Sequence, residues 1–209
     1  MPAFDWVKRL MRPRGVFQPF GYTRADRYPP LFRAAQKHLA GCEDLRLLSF
    51  GCATGEELVT MRRYFPGAYL KGLDITPAAI AKARARVPAA DFAVAGSTEA
   101  EPSESYHAIF CLAVLRHGDL GRLRPARCDA LLRFTDFERL TTDFARCLKP
   151  GGLLAIRHSN FRFEDTAAAA AFTLLLRAPR FADTPKYGPD NRRLPDEARE
   201  IVLWRKRPD

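Results

Sequence analysis

Two glycines, two glutamates and an aspartate between residues 51 and 74 have types and a spacing that suit one kind of ligand. Gly51 and Gly55 frame a turn after an apolar run, where a ligand can come close to the main chain. A helix opening at Glu56 offers unsatisfied N–H groups and a partial positive charge. A pyrophosphate site wants G-x-G-x-x-G. Here the row is G-x-x-x-G followed by Glu56-Glu57. Paired carboxylates repel a pyrophosphate and tolerate an ammonium group beside a carboxylate. Asp74, nineteen residues beyond Gly55, can accept hydrogen bonds from both hydroxyls of a ribose. A nucleoside that carries an amino acid meets all of these conditions. His117 and His158 each stand just past an apolar run and point toward the same ligand end, so they are candidate bases for an acceptor that must lose a proton.

The elements that must position these residues alternate. Leu45 to Phe50 is an apolar run of strand length, as in a strand buried on both faces. Glu56 to Phe65 is helical and ends at Pro66-Gly67. Tyr69 to Leu73 is a second strand, and Thr76-Pro77 opens a helix running to Val87. Phe92–Ala95, Ala108–Leu112 and Leu153–Ile156 are three further strands, with a helix from Phe134 to Leu148 ahead of the last. Leu31 to Leu39 also reads as a helix, as does Ala167 to Leu176, and Ile201 to Trp204 as a final strand. Such alternation predicts a mostly parallel sheet covered on both faces, with ligands at the carboxyl ends of its strands. Residues 1–44 form an arm and cap, with a short amphipathic helix over 3–11, and 45–209 a core, together one domain.

No apolar run approaches the roughly 20 residues a bilayer crossing needs, and arginines and lysines interrupt the N-terminal region early. These features place the chain in the cytoplasm with no membrane partner. Five cysteines without a CxxC pair argue for reduced thiols, and against a disulfide framework or a metal site. A net charge of +10 is compatible with nucleic acid, but the basic residues are scattered rather than gathered in one run.

A nucleoside carrying an amino acid describes S-adenosylmethionine. Ser49-Phe50-Gly51-Cys52-Ala53-Thr54-Gly55-Glu56-Glu57 resembles the first motif of the class I S-adenosylmethionine-dependent methyltransferases, and Gly72-Leu73-Asp74-Ile75-Thr76 resembles their second. Tyr106 to His117 is similar to their fourth-strand pattern, and Leu148 to Leu154 to their turn into strand five. The resemblance implies a Rossmann-like doubly wound α/β fold, with a mostly parallel seven-stranded sheet and helices on both faces. It implies that Gly51, Cys52, Ala53, Thr54 and Gly55 wrap the methionine moiety, and that Asp74 takes the ribose with Ile75 against the adenine. Ser97 or Thr98 would meet the adenine amino group, and Cys111 and Leu112 would lie beside the reactive methyl. His117 and His158 remain the catalytic candidates, with no metal. The run Cys111-Leu112-Ala113-Val114-Leu115 is not the Asn/Asp-Pro-Pro-Tyr/Phe of nucleic-acid amino methylases. A small-molecule acceptor therefore ranks ahead of protein or RNA. A cofactor-binding accessory protein without turnover is the alternative from another class.

Overall fold

The computed structural model describes Phe17 and residues 23–208. The helix expected over 3–11 lies outside these residues. Seven strands form one sheet: β1 (Arg46–Phe50), β2 (Tyr69–Asp74), β3 (Asp91–Val94), β4 (Tyr106–Leu112), β5 (Leu148–Arg157), β6 (Phe172–Pro179) and β7 (Arg199–Lys206). Their order is β3-β2-β1-β4-β5-β7-β6. The first five pair in parallel, and β7 runs antiparallel between β5 and β6. The helices are α1 (Pro29–His38), α2 (Glu56–Tyr64), α3 (Pro77–Arg86), α4 (Gly118–Leu123) and α5 (Phe134–Cys147).

Because strand side chains alternate, the parallel sheet buries two apolar faces. Leu48, Phe50, Ile109, Cys111 and Ile156 pack with Phe137, Leu140 and Phe144 of α5. Leu47, Ala108, Phe110, Leu153 and Ala155 pack on the opposite side with Phe32 of α1, Leu58 and Met61 of α2 and Ile80 of α3. The chain leaves β1 toward β2 and β3 on one side and returns to β4 on the other. That reversal opens a crevice at the carboxyl ends of β1 and β4.

One expected element is different. Ala167 to Leu176 does not form a helix: Ala167–Ala171 is a 3-10 turn and Phe172–Pro179 is strand β6. Alanine's helix propensity governs only an unpartnered segment. Here the leucines are claimed by pairing with β7, from Phe172 opposite Lys206 to Pro179 opposite Arg199.

β5 and β6 are both antiparallel to β7, so they point the same way. The 180–198 connection from β6 to β7 therefore starts and ends at the carboxyl edge of the sheet, beside the crevice. It is tied down along its length. Arg124 donates to the Ala182 carbonyl (3.0 Å) and pairs with Asp196 (2.6 Å), and Tyr187 forms bridges with Phe161 and Arg193. Gly121 of α4 is what lets it sit so close, since a Cβ there would lie 2.2 Å from the Asp183 carbonyl oxygen. Gly121→Ala is expected to cost about 1–3 kcal/mol through this overlap. The loss should appear as a lower Tm and as new proteolytic cleavage within 180–198.

Candidate functional site

The turn after β1 is built around Asp74. Gly51 has φ +73°, and its N–H and that of Cys52 both donate to the Leu73 carbonyl (2.8 and 2.9 Å). A Cβ on Gly51 would lie 2.3 Å from a methyl of Val114, so only glycine lets the loop after β4 close over this turn. Ala53 also takes a positive φ (46°), which aims its N–H at Asp74 Oδ2 (2.9 Å). Asp74 Oδ1 accepts from the Thr76 N–H (2.8 Å) at the start of α3. The carboxylate at the end of β2 is thus held by the two turns on either side of it. Each oxygen keeps a further lone pair, enough for a vicinal diol.

The two glutamates separate. Glu56 pairs with Arg86 of α3 (2.5 Å) and accepts from the Thr54 hydroxyl (2.7 and 2.8 Å), while Arg86 also donates to the Thr54 carbonyl. Glu57 turns inward and accepts from the Ser49 hydroxyl (2.7 Å). The expected pair does not face one ligand, because consecutive helical residues diverge. Glu57 keeps some solvent-exposed surface but lies deep among packed atoms. That desolvation raises its carboxyl to about 8, against the opposing pull of Ser49 and of Arg27. The folded carboxyl holds its proton longer than the unfolded one, so stability falls as pH rises from about 4.5 through about 8. Glu57→Gln is expected to flatten this decline in a pH series of Tm values; an unchanged slope would remove the assignment.

Cys52 and Cys111 are buried thiols pushed up by desolvation, with Asp74 and Glu57 adding to the shift at Cys52 and Glu57 at Cys111. Neither is a nucleophile as it stands. Cys111 packs on the α5 side of the sheet and Leu112 on the α1–α3 side. On the far side of Asp74 two apolar side chains stay open. Ile75 is 45% exposed and Val94, opposite Asp74 in the β2–β3 register, is 52% exposed. Ile75 lies close against Gly96. Thr98 is fully buried and donates to Asp143 of α5 (2.5 Å), so Ser97 holds the more accessible hydroxyl of the pair.

Both candidate histidines are buried and engaged. His117 caps α4, its Nδ1 accepting from the Asp119 N–H (3.2 Å). His158, at φ 60° just past β5, has Nε2 2.5 Å from Arg116 Nη1 and 3.0 Å from Asp183 Oδ1. Burial and then the Arg116 charge lower its pKa to about 4, against the opposing effect of Asp183. The ring is neutral near pH 7, but so weak a base beside a guanidinium is poorly matched to proton abstraction.

Sequence reasoning missed what surrounds His158. Arg116 Nη2 donates to Asp183 Oδ2 (3.1 Å), and the Phe181 ring lies 4.3 Å from the imidazole and 6.2 Å from Tyr28. Two buried polar atoms in this group, the Tyr28 hydroxyl and Arg116 Nε, have no hydrogen-bond partner among the described residues. Each such atom costs about 1–3 kcal/mol. Asn160 joins the neighbouring loops. Its side chain accepts from the His117 N–H (2.8 Å) and donates to the Pro185 carbonyl (2.8 Å), while its main chain bonds Leu115 and Tyr187. Only the prolines of 179–195 hinted that this connection was irregular; nothing in its pattern marked Phe181 or Asp183.

The site accommodates S-adenosylmethionine on its own chemistry. A carboxylate with free lone pairs, an open apolar pair beside it and a turn whose two glycines keep side chains off the main chain match a ribose, a purine and a methionine tail in sequence. No cluster of His, Cys, Asp and Glu able to hold a metal ion occurs among the described residues.

Known proteins share this fold. A family model described as methyltransferase domain matches residues 48–154. Trans-aconitate 2-methyltransferase of Methylobacterium radiotolerans is 29% identical over 110 residues, covering 53% of this chain and 36% of that protein. The chain thus spans about a third of the length of the curated relative it matches. Among solved structures, the (4+2) cyclase SpnF is 15% identical with a TM-score of 0.58, covering 94% of this chain and 87% of its own. The YcgJ protein of Bacillus subtilis is 12% identical with a TM-score of 0.54, covering 87% of this chain and 100% of its own. With the motif-bearing half of the chain matched by the domain model and the sheet order in place, the protein belongs to the class I S-adenosylmethionine-dependent methyltransferases.

Proposed function

We propose that the protein transfers a methyl group from S-adenosylmethionine to a small-molecule acceptor. The observation that carries this reading is the Asp74 carboxylate, pinned by Ala53 and Thr76 with lone pairs to spare beside the open Ile75. S-adenosylmethionine supplies a methyl group already activated for in-line displacement. The chain's share is to bind, align and exclude water. The glycine turn and Asp74 fix one reactant, and the loops after β4 and β5, under the 180–198 connection, face the other.

The relative's name points to a small organic acid as acceptor. The reading also takes the chain as one domain, with 1–44 as arm and cap, acting in the cytoplasm. No helix among the described residues is long and apolar enough to cross a membrane, which fits that location. Because the same fold serves a cyclase, the fold alone does not choose the reaction. The deciding experiment follows methyl-labelled S-adenosylmethionine into fractionated cell extract. Label in the small-molecule fraction is expected. Label in protein or RNA would redirect the acceptor, and tight cofactor binding with no transfer would favour an accessory role.

A further inference from the structure

The side edge of the Arg116 guanidinium, Nε and Nη2, is a two-donor fork shaped for a carboxylate. Its occupation is uneven. Nη2 donates to Asp183 Oδ2 at 3.1 Å, whereas Nε is buried with no partner among the described residues. Asp183 therefore fills half of the fork. It does so from an exposed position, its side chain 61% accessible against 12% for Arg116. Across Phe181 sits the Tyr28 hydroxyl, the second buried donor with no acceptor among the described residues, and Tyr28 as a residue is only 8% exposed.

The place of this fork in the sheet matters as much as its chemistry. Asp74 ends β2 and the glycine turn follows β1, so the cofactor-fitting groups run along β2 and β1. Arg116 and His158 follow β4 and β5, the next two strands in the same direction. That is where a second reactant would meet the end of the first.

We propose that Arg116 and Tyr28 form a carboxylate subsite for the acceptor, which Asp183 occupies in its absence and vacates when the acceptor binds. An incoming carboxylate takes Nε and Nη2 together, and the Tyr28 hydroxyl donates to it from the other side. Asp183 needs to move only its side chain, toward solvent. The bonds from Asn160 to Pro185 and Tyr187 leave the rest of the connection in place. His158, packed against Phe181 and bonded to Arg116, is then a positioning residue for the guanidinium. The proposal rests on methyl transfer at this site but concerns the acceptor half alone.

The test is a titration of acetate, succinate and citrate, with trimethyl citrate as neutral control, into protein loaded with S-adenosylhomocysteine. At least one carboxylate should bind while the ester does not. Arg116→Met should abolish that binding, and Tyr28→Phe should weaken it. The diagnostic variant is Asp183→Asn, nearly isosteric and at an exposed position. Removing the competing charge should tighten carboxylate binding about three- to fivefold, a range set by an exposed ion pair. A merely structural Asp183 would weaken binding or leave it unchanged, and either result overturns the proposal, as does failure of all three carboxylates to bind. If Arg116→Met instead weakens S-adenosylhomocysteine much more than 5′-methylthioadenosine, which lacks the amino-acid tail, the fork belongs to the cofactor and the acceptor subsite is wrong. Failure of S-adenosylhomocysteine to bind the wild type would sink the methyl-transfer reading separately, with the carboxylate titration of the unloaded protein still deciding the subsite.

Discussion

Asp74→Ala is expected to lower affinity for S-adenosylmethionine by about a hundredfold or more. Two hydrogen bonds from ribose hydroxyls to a charged acceptor are together worth roughly 3 kcal/mol, and each 1.4 kcal/mol is a factor of ten. The true loss should exceed that ledger. The carboxylate also fixes the Ala53 N–H and the Thr76 N–H, so its removal frees the turn after β1 along with the start of α3. Asp74→Asn separates the two effects. The amide keeps one carbonyl acceptor and its shape, and should hold one turn in place while losing the charge. Calorimetric titration of the wild type and both variants checks the series. Equal affinity in all three would falsify the placement of the ribose at Asp74. A stability drop in Asp74→Ala without any change in affinity would make the residue a turn anchor only.

Glu200→Ala should be the most destabilising single change away from the cofactor side, at about 3–5 kcal/mol. Glu200 stands between two buried cations. Arg157 Nη1 pairs with one of its oxygens and Lys186 Nζ with the other at 2.5 Å, and all three residues are no more than 8% exposed. Removing the anion leaves two positive charges under the connection with nothing between them. Arg157 would retain its bond to the Pro179 carbonyl (2.5 Å) and Lys186 its bond to the Ser159 carbonyl (2.6 Å), neither of which neutralises a charge. Adding Lys186→Met to Glu200→Ala should recover part of the loss, because one uncompensated charge is removed with it. Chemical denaturation of the two variants measures both steps. A Glu200→Ala loss below about 1 kcal/mol would mean that water reaches the cluster and screens it.

What could be read from the sequence was what neighbours in the chain decide. Gly51, Gly55 and Asp74 form one strand-turn-helix-strand unit, and each is placed by residues within it. The separation of Glu56 from Glu57 was also open to reading, since helix geometry alone sends adjacent side chains apart. β6 was misread because its local composition favours helix, while the pairing that overrides it comes from β7, beyond a long connection. The Arg116–Asp183 contact joins residues 67 apart. No periodicity records such a pairing, and Asp183 sits in a segment whose path is set by Gly121, Asn160 and Arg124 rather than by its own residues. The histidines were visible as residue types, but whether their nitrogens were free depended on these same distant partners.

Asn160 bears on how this protein could be changed. One side chain and its own peptide group bind the loops after β4 and β5 to positions 185 and 187, so those three segments behave as a frame. Ala182 and Asp183 lie exposed outside it, at the rim, while Phe181 is half-buried against Arg157, His158 and Tyr28. A library aimed at new acceptors should therefore vary the side chains at 182 and 183 and leave Phe181 and Asn160 alone. Variation there alters what the rim presents without loosening the frame, and selectivity could be exchanged at little expense in folding.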